Sequence, residues 1–287
     1  MELKVNKKQK TSTKMIIDGH AHACGDYLIP EKIIIHLAES KVDKLVLVPG
    51  ELNSEKTYSF PNVAKLLPGL NITKFFNYLT KMVISLTNAQ KDFIAGNAYV
   101  YELAKELPDK VIQFYLVTNV FDSITQELDD KHLKWKFKGL KFHQCWFSIS
   151  IKSKIFIETA TWAIGKDLPI FIHLFSDSEV NMLIEHKRNN PRSIIIVAHL
   201  FGLELFIKSK TKFENLHFDI STYQVTSDKR VLKAINYFGA EKILMGSDTP
   251  YGRNNLKKNI DRIRSLDIST KEKELILGEN MRRLLKI

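Results

Sequence analysis

Short runs of β-branched and aliphatic residues alternate with longer stretches of helical period along nearly the whole chain. The apolar runs are MIID (15–18), KLVLV (44–48), VIQFYLV (111–117), FKGLKF (137–142), PIFIHL (169–174), SIIIVAHL (193–200), LHFDI (216–220) and KILMGSD (242–248). Helical spacing marks PEKIIIHLAES (30–40), KSKIFIETATWAIGKD (152–167), SEVNMLIEHKRNN (178–190), DKRVLKAINYFG (228–239) and NNLKKNIDRIRSL (254–266). Pro30 fits a first helical turn and Gly239 a helix end. From the fourth run onward the starts lie about 22 to 32 residues apart, enough for a strand, a helix and two turns. Such βα repetition implies parallel strands joined by right-handed crossovers, and a run as apolar as IIIVA is expected only where both faces of a sheet are covered. Eight such units predict an α/β fold, the (β/α)8 TIM barrel. The interval from about 49 to 110 is too long for one βα connection. Its helical patterns, NITKFFNYLTKMVISL (71–86) and AQKDFIAGNAYVYELAKEL (89–107), predict a helical insertion after strand 2 over about residues 50–110, placed at the catalytic face as a lid or a homodimer contact.

Composition narrows the class. At 287 residues and 44% apolar the chain suits one barrel domain over 15–287, preceded by a polar, basic stretch, 1–14, expected to be a mobile leader. No apolar stretch approaches the roughly 18 residues that span a bilayer and the start lacks the apolar core of a secretory signal, so a soluble, cytoplasmic protein without a membrane partner is expected. Two cysteines, Cys24 and Cys145, make no disulfide framework. The net charge of +11 is scattered rather than clustered, and 35 Lys outnumber 8 Arg. Bidentate recognition of phosphates and bases would favour Arg, so no specific nucleic-acid partner is expected.

Five of the nine histidines, His20, His22, His143, His173 and His199, fall at or just beyond the C-terminal end of a predicted strand. A parallel barrel gathers those ends into one pocket, where barrel enzymes keep their chemistry. In IIDGHAH the two histidines are two residues apart, and alternation along a strand lets both imidazoles face the barrel axis as metal ligands. Asp18, two residues earlier, is expected on that same face, orienting a ligand from behind. A lone HxH is weak evidence, since most such pairs are ordinary strand histidines. The strand-end positions of His173, His199 and Asp248 are what make a joint metal site the better account.

Together IIDGHAH, GLKFHQ, IFIHL, VAHLFG, MGSDTPYG and GENMRRLL resemble the amidohydrolase superfamily, specifically its "amidohydrolase 2" branch of TIM-barrel metal-dependent hydrolases, over residues 15–287. The resemblance implies that His20 and His22 are strand-1 metal ligands and His173 the strand-5 ligand. It makes Asp248 both a ligand and the catalytic proton shuttle. His199 either ligates the metal or contacts the activated water or the substrate oxygen. On strand 4 some relatives carry a carboxylated lysine bridging two metals, so Lys141 leaves a second metal open. An unmodified Lys141 would instead clamp a substrate carboxylate or serve as a neutral base, with one Zn²⁺ held by the remaining set. His143 and Arg253 are further substrate-binding candidates, although Arg253 reads equally well as a solvated loop residue. Trp146 and Phe147 either wall the pocket or pack beneath a lid. Asn280 and Arg283 read as structural, tying the last helix to the barrel. The expected function is metal-activated hydrolysis of an amide, lactone or ester carbonyl in a small polar molecule. The alternatives are a decarboxylase or hydratase of the same branch and, from another class, a non-catalytic basic binding protein.

Overall fold

The computed structural model describes residues 15–87, 89–120 and 123–287; the leader expected over 1–14 lies outside them. Eight parallel strands, β1 (Ile17–His22), β2 (Lys44–Val48), β3 (Val111–Leu116), β4 (Gly139–His143), β5 (Ile170–His173), β6 (Ile195–Val197), β7 (Leu216–Asp219) and β8 (Ile243–Leu244), pair in chain order. The ring closes through the segment after β8. There the Gly19 N–H donates to the Met245 carbonyl at 2.9 Å, the His22 N–H to that of Thr249 at 2.9 Å, and the Asp248 N–H to that of His20 at 2.7 Å. The expected TIM barrel is therefore the observed fold.

Strand alternation sorts the core into two layers. Val46, Val48, Ile112, Phe114, Phe171 and Ile196 fill the barrel interior, while Leu45, Leu47, Tyr115, Leu140 and Ile195 face the helices. The outer layer is formed mainly by α1 (Pro30–Ser40), α4 (Ala89–Glu106), α5 (Ile124–Trp135), α6 (Lys154–Lys166), α7 (Asp177–Asn189), α8 (Leu203–Lys208), α9 (Asp228–Phe238) and α10 (Asn255–Ser265). Ser123, Ser153, Ser176 and Ser227 each cap a helix by accepting from the third residue on, satisfying a backbone N–H that has no partner within the helix. The chain ends on α11 (Thr270–Glu274) and α12 (Asn280–Leu285), and Met281 and Leu285 of α12 complete the inner core. The Asn280 amide donates to the carbonyls of Ala240 and Ile243 at 2.7 and 2.8 Å, which ties α12 to the start of β8.

The insertion is shorter than the sequence suggests. The α4 helix packs on β2 and β3 and is the barrel's own connecting helix, so the added helices are α2 (Val63–Leu66) and α3 (Thr73–Leu86). Asp18 is a second correction. The pairing register of β1 with β2 shifts between Asp18 and Ala21, and such an irregularity reverses the facing of everything beyond it. Asp18 consequently touches no imidazole ring; it accepts from the Ser247 N–H (2.8 Å), the Ser247 hydroxyl (2.6 Å) and the Tyr27 hydroxyl (3.1 Å). Its contribution is to hold the residue next to Asp248.

His217 of β7 is buried, its Nδ1 has no hydrogen-bond partner, and burial, followed by the charges of Lys242 and Lys187, pushes its pKa down to about 3. Between about pH 3 and 6.5 the unfolded chain binds the proton that the folded chain refuses, so stability falls as pH drops through that window. His217→Gln is expected to remove roughly 2 kcal/mol of the stability lost between pH 6.5 and 5. Denaturant titrations of both proteins at the two pH values check this; equal losses would mean that His217 does not set the acid limb.

Candidate metal centre and cavity

Four of the five strand-end histidines have one ring nitrogen tied to an acceptor behind it; the exception is His143, whose buried Nδ1 has no hydrogen-bond partner. His20 Nδ1 meets Asp219 Oδ2 at 3.2 Å and Ser221 Oγ at 2.9 Å, and Ser221 Oγ itself donates to Asp219. His22 Nδ1 donates to the Pro49 carbonyl at 2.8 Å. His199 Nδ1 donates to the Ser221 carbonyl at 2.7 Å. His173 Nε2 meets Asn77 Oδ1 at 2.8 Å, an amide whose Nδ2 is committed to the carbonyls of Leu174 and Phe175. Carbonyl and carboxylate oxygens only accept, so in each neutral ring the proton sits on the tied nitrogen and the other nitrogen is a bare lone pair.

The bare nitrogens converge. His22 Nε2 and His20 Nε2 lie 3.2 and 3.4 Å from Asp248 Oδ1, and His199 Nε2 lies 3.2 Å from His173 Nδ1. His20 Nε2 accepts from the Lys141 ammonium at 2.9 Å, but His22 Nε2 faces Asp248 Oδ1 and His199 Nε2 faces His173 Nδ1 with no hydrogen between them, and lone pairs at that range repel unless a cation sits among them. That is the donor chemistry of a metal site whose imidazoles are oriented from behind. His20, His22 and Asp248 bring ligand atoms within 4.8 Å of one another, and so do His20, His199 and Asp219. The first set is the better candidate, because Asp219 already spends its oxygens on His20, on Ser221 and on the His199 N–H.

Burial holds His20, His143 and His173 well below the ordinary histidine pKa, assisted by Lys141 at His20, by His173 at His143 and by His199 at His173. Burial also pushes the Asp248 carboxyl up, but His20, His199 and His22 outweigh it and hold it well below the carboxylate range. The Thr222 hydroxyl donates to Asp248 Oδ2 at 2.6 Å, leaving Oδ1 to face the histidines. Asp248 and His199 both have left-handed backbones (φ 60° and 57°), which non-glycine residues adopt at some cost and which recur at functional sites. Gly246 makes the approach of strands 1, 7 and 8 feasible: a Cβ there would lie 2.5 Å from Asp219 Oδ1 and 2.7 Å from His20 Cβ.

A cavity of about 310 Å³ opens above the cluster, lined in part by His22, His143, His173, His199 and Asp248. His143 lies flat on Trp146 (centroids 4.0 Å apart, 2° between planes), which stacks in turn on Phe93. Lys141 does not line the cavity: fully buried beneath it, its ammonium donates to His20 Nε2 at 2.9 Å and sits 4.2 Å above the Phe171 ring, with burial lowering its pKa to about 8. Arg253 is exposed and is not among the lining residues either. Sequence reasoning missed Asp219, Ser221, Thr222, Asn77 and Glu51. Of these Asp219 was within reach, being another acid at the C-terminal end of an apolar run.

The closed parallel barrel with histidines and a carboxylate at its strand ends makes this a TIM-barrel protein with a metal-type donor cluster. No protein-family model and no curated protein matches the sequence. Solved structures do share the fold. The probable 2-pyrone-4,6-dicarboxylic acid hydrolase of Acinetobacter baumannii superimposes with a TM-score of 0.66 at 14% identity, covering 95% of this chain and 99% of that one. A structure named amidohydrolase II gives 0.63 at 14% identity, covering 95% and 100%. The 2,6-dihydroxybenzoate decarboxylase of Rhizobium gives 0.62 at 15% identity, covering 95% and 99%. At these identities the likeness is one of fold, and it agrees with the resemblance carried by the motifs.

Proposed function

We propose that the protein is a metal-dependent hydrolase of the amidohydrolase type, acting on an ester, lactone or amide carbonyl in a small molecule. The observation that carries this is the convergence of bare imidazole nitrogens on Asp248. His20, His22 and Asp248 would hold one divalent cation, with His173 and His199 beside it. A donor set rich in imidazole with one carboxylate suits zinc. Such a cation supplies Lewis acidity, acidifying water near neutral pH and polarising a carbonyl oxygen. The chain's own residues do the rest. Asp248, ionised and anchored by Thr222, accepts a proton on its carboxylate and returns it to the leaving group. His199, held by Ser221 and Asp219, faces the cavity where a substrate oxygen would rest. Trp146, Phe93 and α3 keep bulk water from the cavity.

The decarboxylase among the structures of this fold supports a second reading, decarboxylation over the same ligands. Among the described residues no helix is long and apolar enough to cross a membrane. Cytoplasmic residence and a homodimer belong to this proposal, the exposed Phe75, Tyr78, Met82 and Leu86 of α3 offering the contact surface. Elemental analysis of the purified protein is expected to find about one divalent metal per chain. Two per chain, with a carboxylated Lys141, would replace the single-metal site by a binuclear one, and none even after incubation with zinc would overturn the metalloenzyme reading.

A further inference from the structure

The cavity wall is mostly hydrocarbon: Phe60, Phe76, Val83, Ile84, Phe93 and Trp146 supply much of it. Among the described residues no Lys or Arg lines it, and its charged side chains other than histidine are Asp248 and Glu51. Lys141 is fully buried beneath the cluster and does not line the cavity. Glu51 follows β2 and is half-buried, and its two oxygens lie 2.6 and 2.8 Å from the Tyr58 hydroxyl. That hydroxyl has one hydrogen to give, so Glu51 keeps accepting capacity toward the cavity. Tyr58 is braced by stacking on Tyr251 (5.4 Å, 24°), whose ring meets the edge of His22 at 5.1 Å, so Glu51 is built into the same wall as the candidate metal ligands.

From this lining we infer that the substrate is an uncharged, largely apolar ester, lactone or amide carrying a hydrogen-bond donor that Glu51 accepts, and that Glu51 excludes molecules bearing a free carboxylate. The inference rests on the hydrolase reading above and narrows it, replacing the polar substrate expected from sequence. A divalent cation would be offset by Asp248 and Glu51 together, and among the described residues no Lys or Arg lines the cavity to hold a second anion directly. A substrate carboxylate would lose its hydration, find no guanidinium or ammonium partner and face Glu51. The apolar wall would meanwhile receive an alkyl or aryl group, and about 310 Å³ is at the small end of ligand cavities.

The test uses the metal-loaded protein and matched pairs: phenyl acetate and 3-hydroxyphenyl acetate against 4-carboxyphenyl acetate, and the corresponding anilides. The uncharged member of each pair is expected to exceed the carboxylated one by about 100-fold in kcat/KM. Glu51→Lys is expected to cut that ratio at least about 10-fold, and Glu51→Gln to lower it less, with melting temperatures confirming that both variants fold. Calorimetric binding of the matched methyl ketones, which are not cleaved, reads the same preference without turnover. If nothing is hydrolysed while the uncharged ketones still bind more tightly, the hydrolase reading fails and the cavity preference stands. Carboxylated partners turned over or bound as well as the uncharged ones would overturn the inference and leave the hydrolase reading intact.

Discussion

Asp248→Asn is expected to lower turnover by about 10²- to 10⁴-fold, the usual cost of losing a general acid–base residue, while the barrel keeps its melting temperature and much of its metal. The geometry separates these effects. Asp248 Oδ2 is fastened by the Thr222 hydroxyl at 2.6 Å and its N–H by the His20 carbonyl at 2.7 Å, and an asparagine of the same shape can keep both contacts. What it cannot do is act as the base that takes the proton, because a neutral amide has no basic carboxylate oxygen. The imidazoles of His20 and His22 beside a neutral amide still offer lone pairs to a cation. The measurement is kcat on any substrate from the ester and anilide panel, with metal content and thermal melting on the same preparation. Turnover near that of the unmodified protein would remove Asp248 from the proton path and favour the decarboxylase-type route.

Most of the scaffold was legible because its signals are local. KLVLV is β2 without adjustment, PEKIIIHLAES is α1 from end to end, and Pro30 lies where a residue without a free N–H does least harm. The strand-end positions of His20, His22, His173, His199 and Asp248 were legible too, since alternation and barrel closure are general consequences of a βα repeat. Illegible features depend on contacts between distant segments. The register shift in β1 comes from how it pairs with β2 and with the segment after β8, so period-2 alternation misplaced Asp18. Asn77 reaches His173 only because α3 folds over the barrel mouth, and its own segment reads as an ordinary amphipathic helix. Arg253, which from its place after Asp248 read equally well as an anion anchor or as a solvated loop residue, lies exposed beyond the turn through Pro250 and Gly252. The long interval after strand 2 concealed α4, a standard barrel helix, because sequence alone does not say which of several consecutive helices packs on the sheet.

His20→Ala is expected to abolish metal binding and turnover together, whereas Asp219→Asn should weaken metal binding about 10- to 100-fold with the ligand itself unchanged. Asp219 acts through His20. Its Oδ2 lies 3.2 Å from His20 Nδ1 and accepts from Ser221 Oγ, which keeps the proton on Nδ1 and the lone pair on Nε2, the side shared with Asp248. An asparagine can turn its NH₂ toward Nδ1; the proton then moves to Nε2 and the lone pair needed by a cation is lost. The same substitution loosens the His199 N–H, 3.3 Å from Asp219 Oδ2, so two of the converging rings lose a constraint. His199→Asn distinguishes the remaining role: if His199 serves the substrate rather than the metal, metal content stays near normal while turnover falls. Competition against a chromophoric chelator gives the affinities independently of activity. Wild-type zinc affinity in Asp219→Asn would mean that the His20 tautomer is set by Ser221 alone, and the orienting role assigned to Asp219 would pass to that hydroxyl.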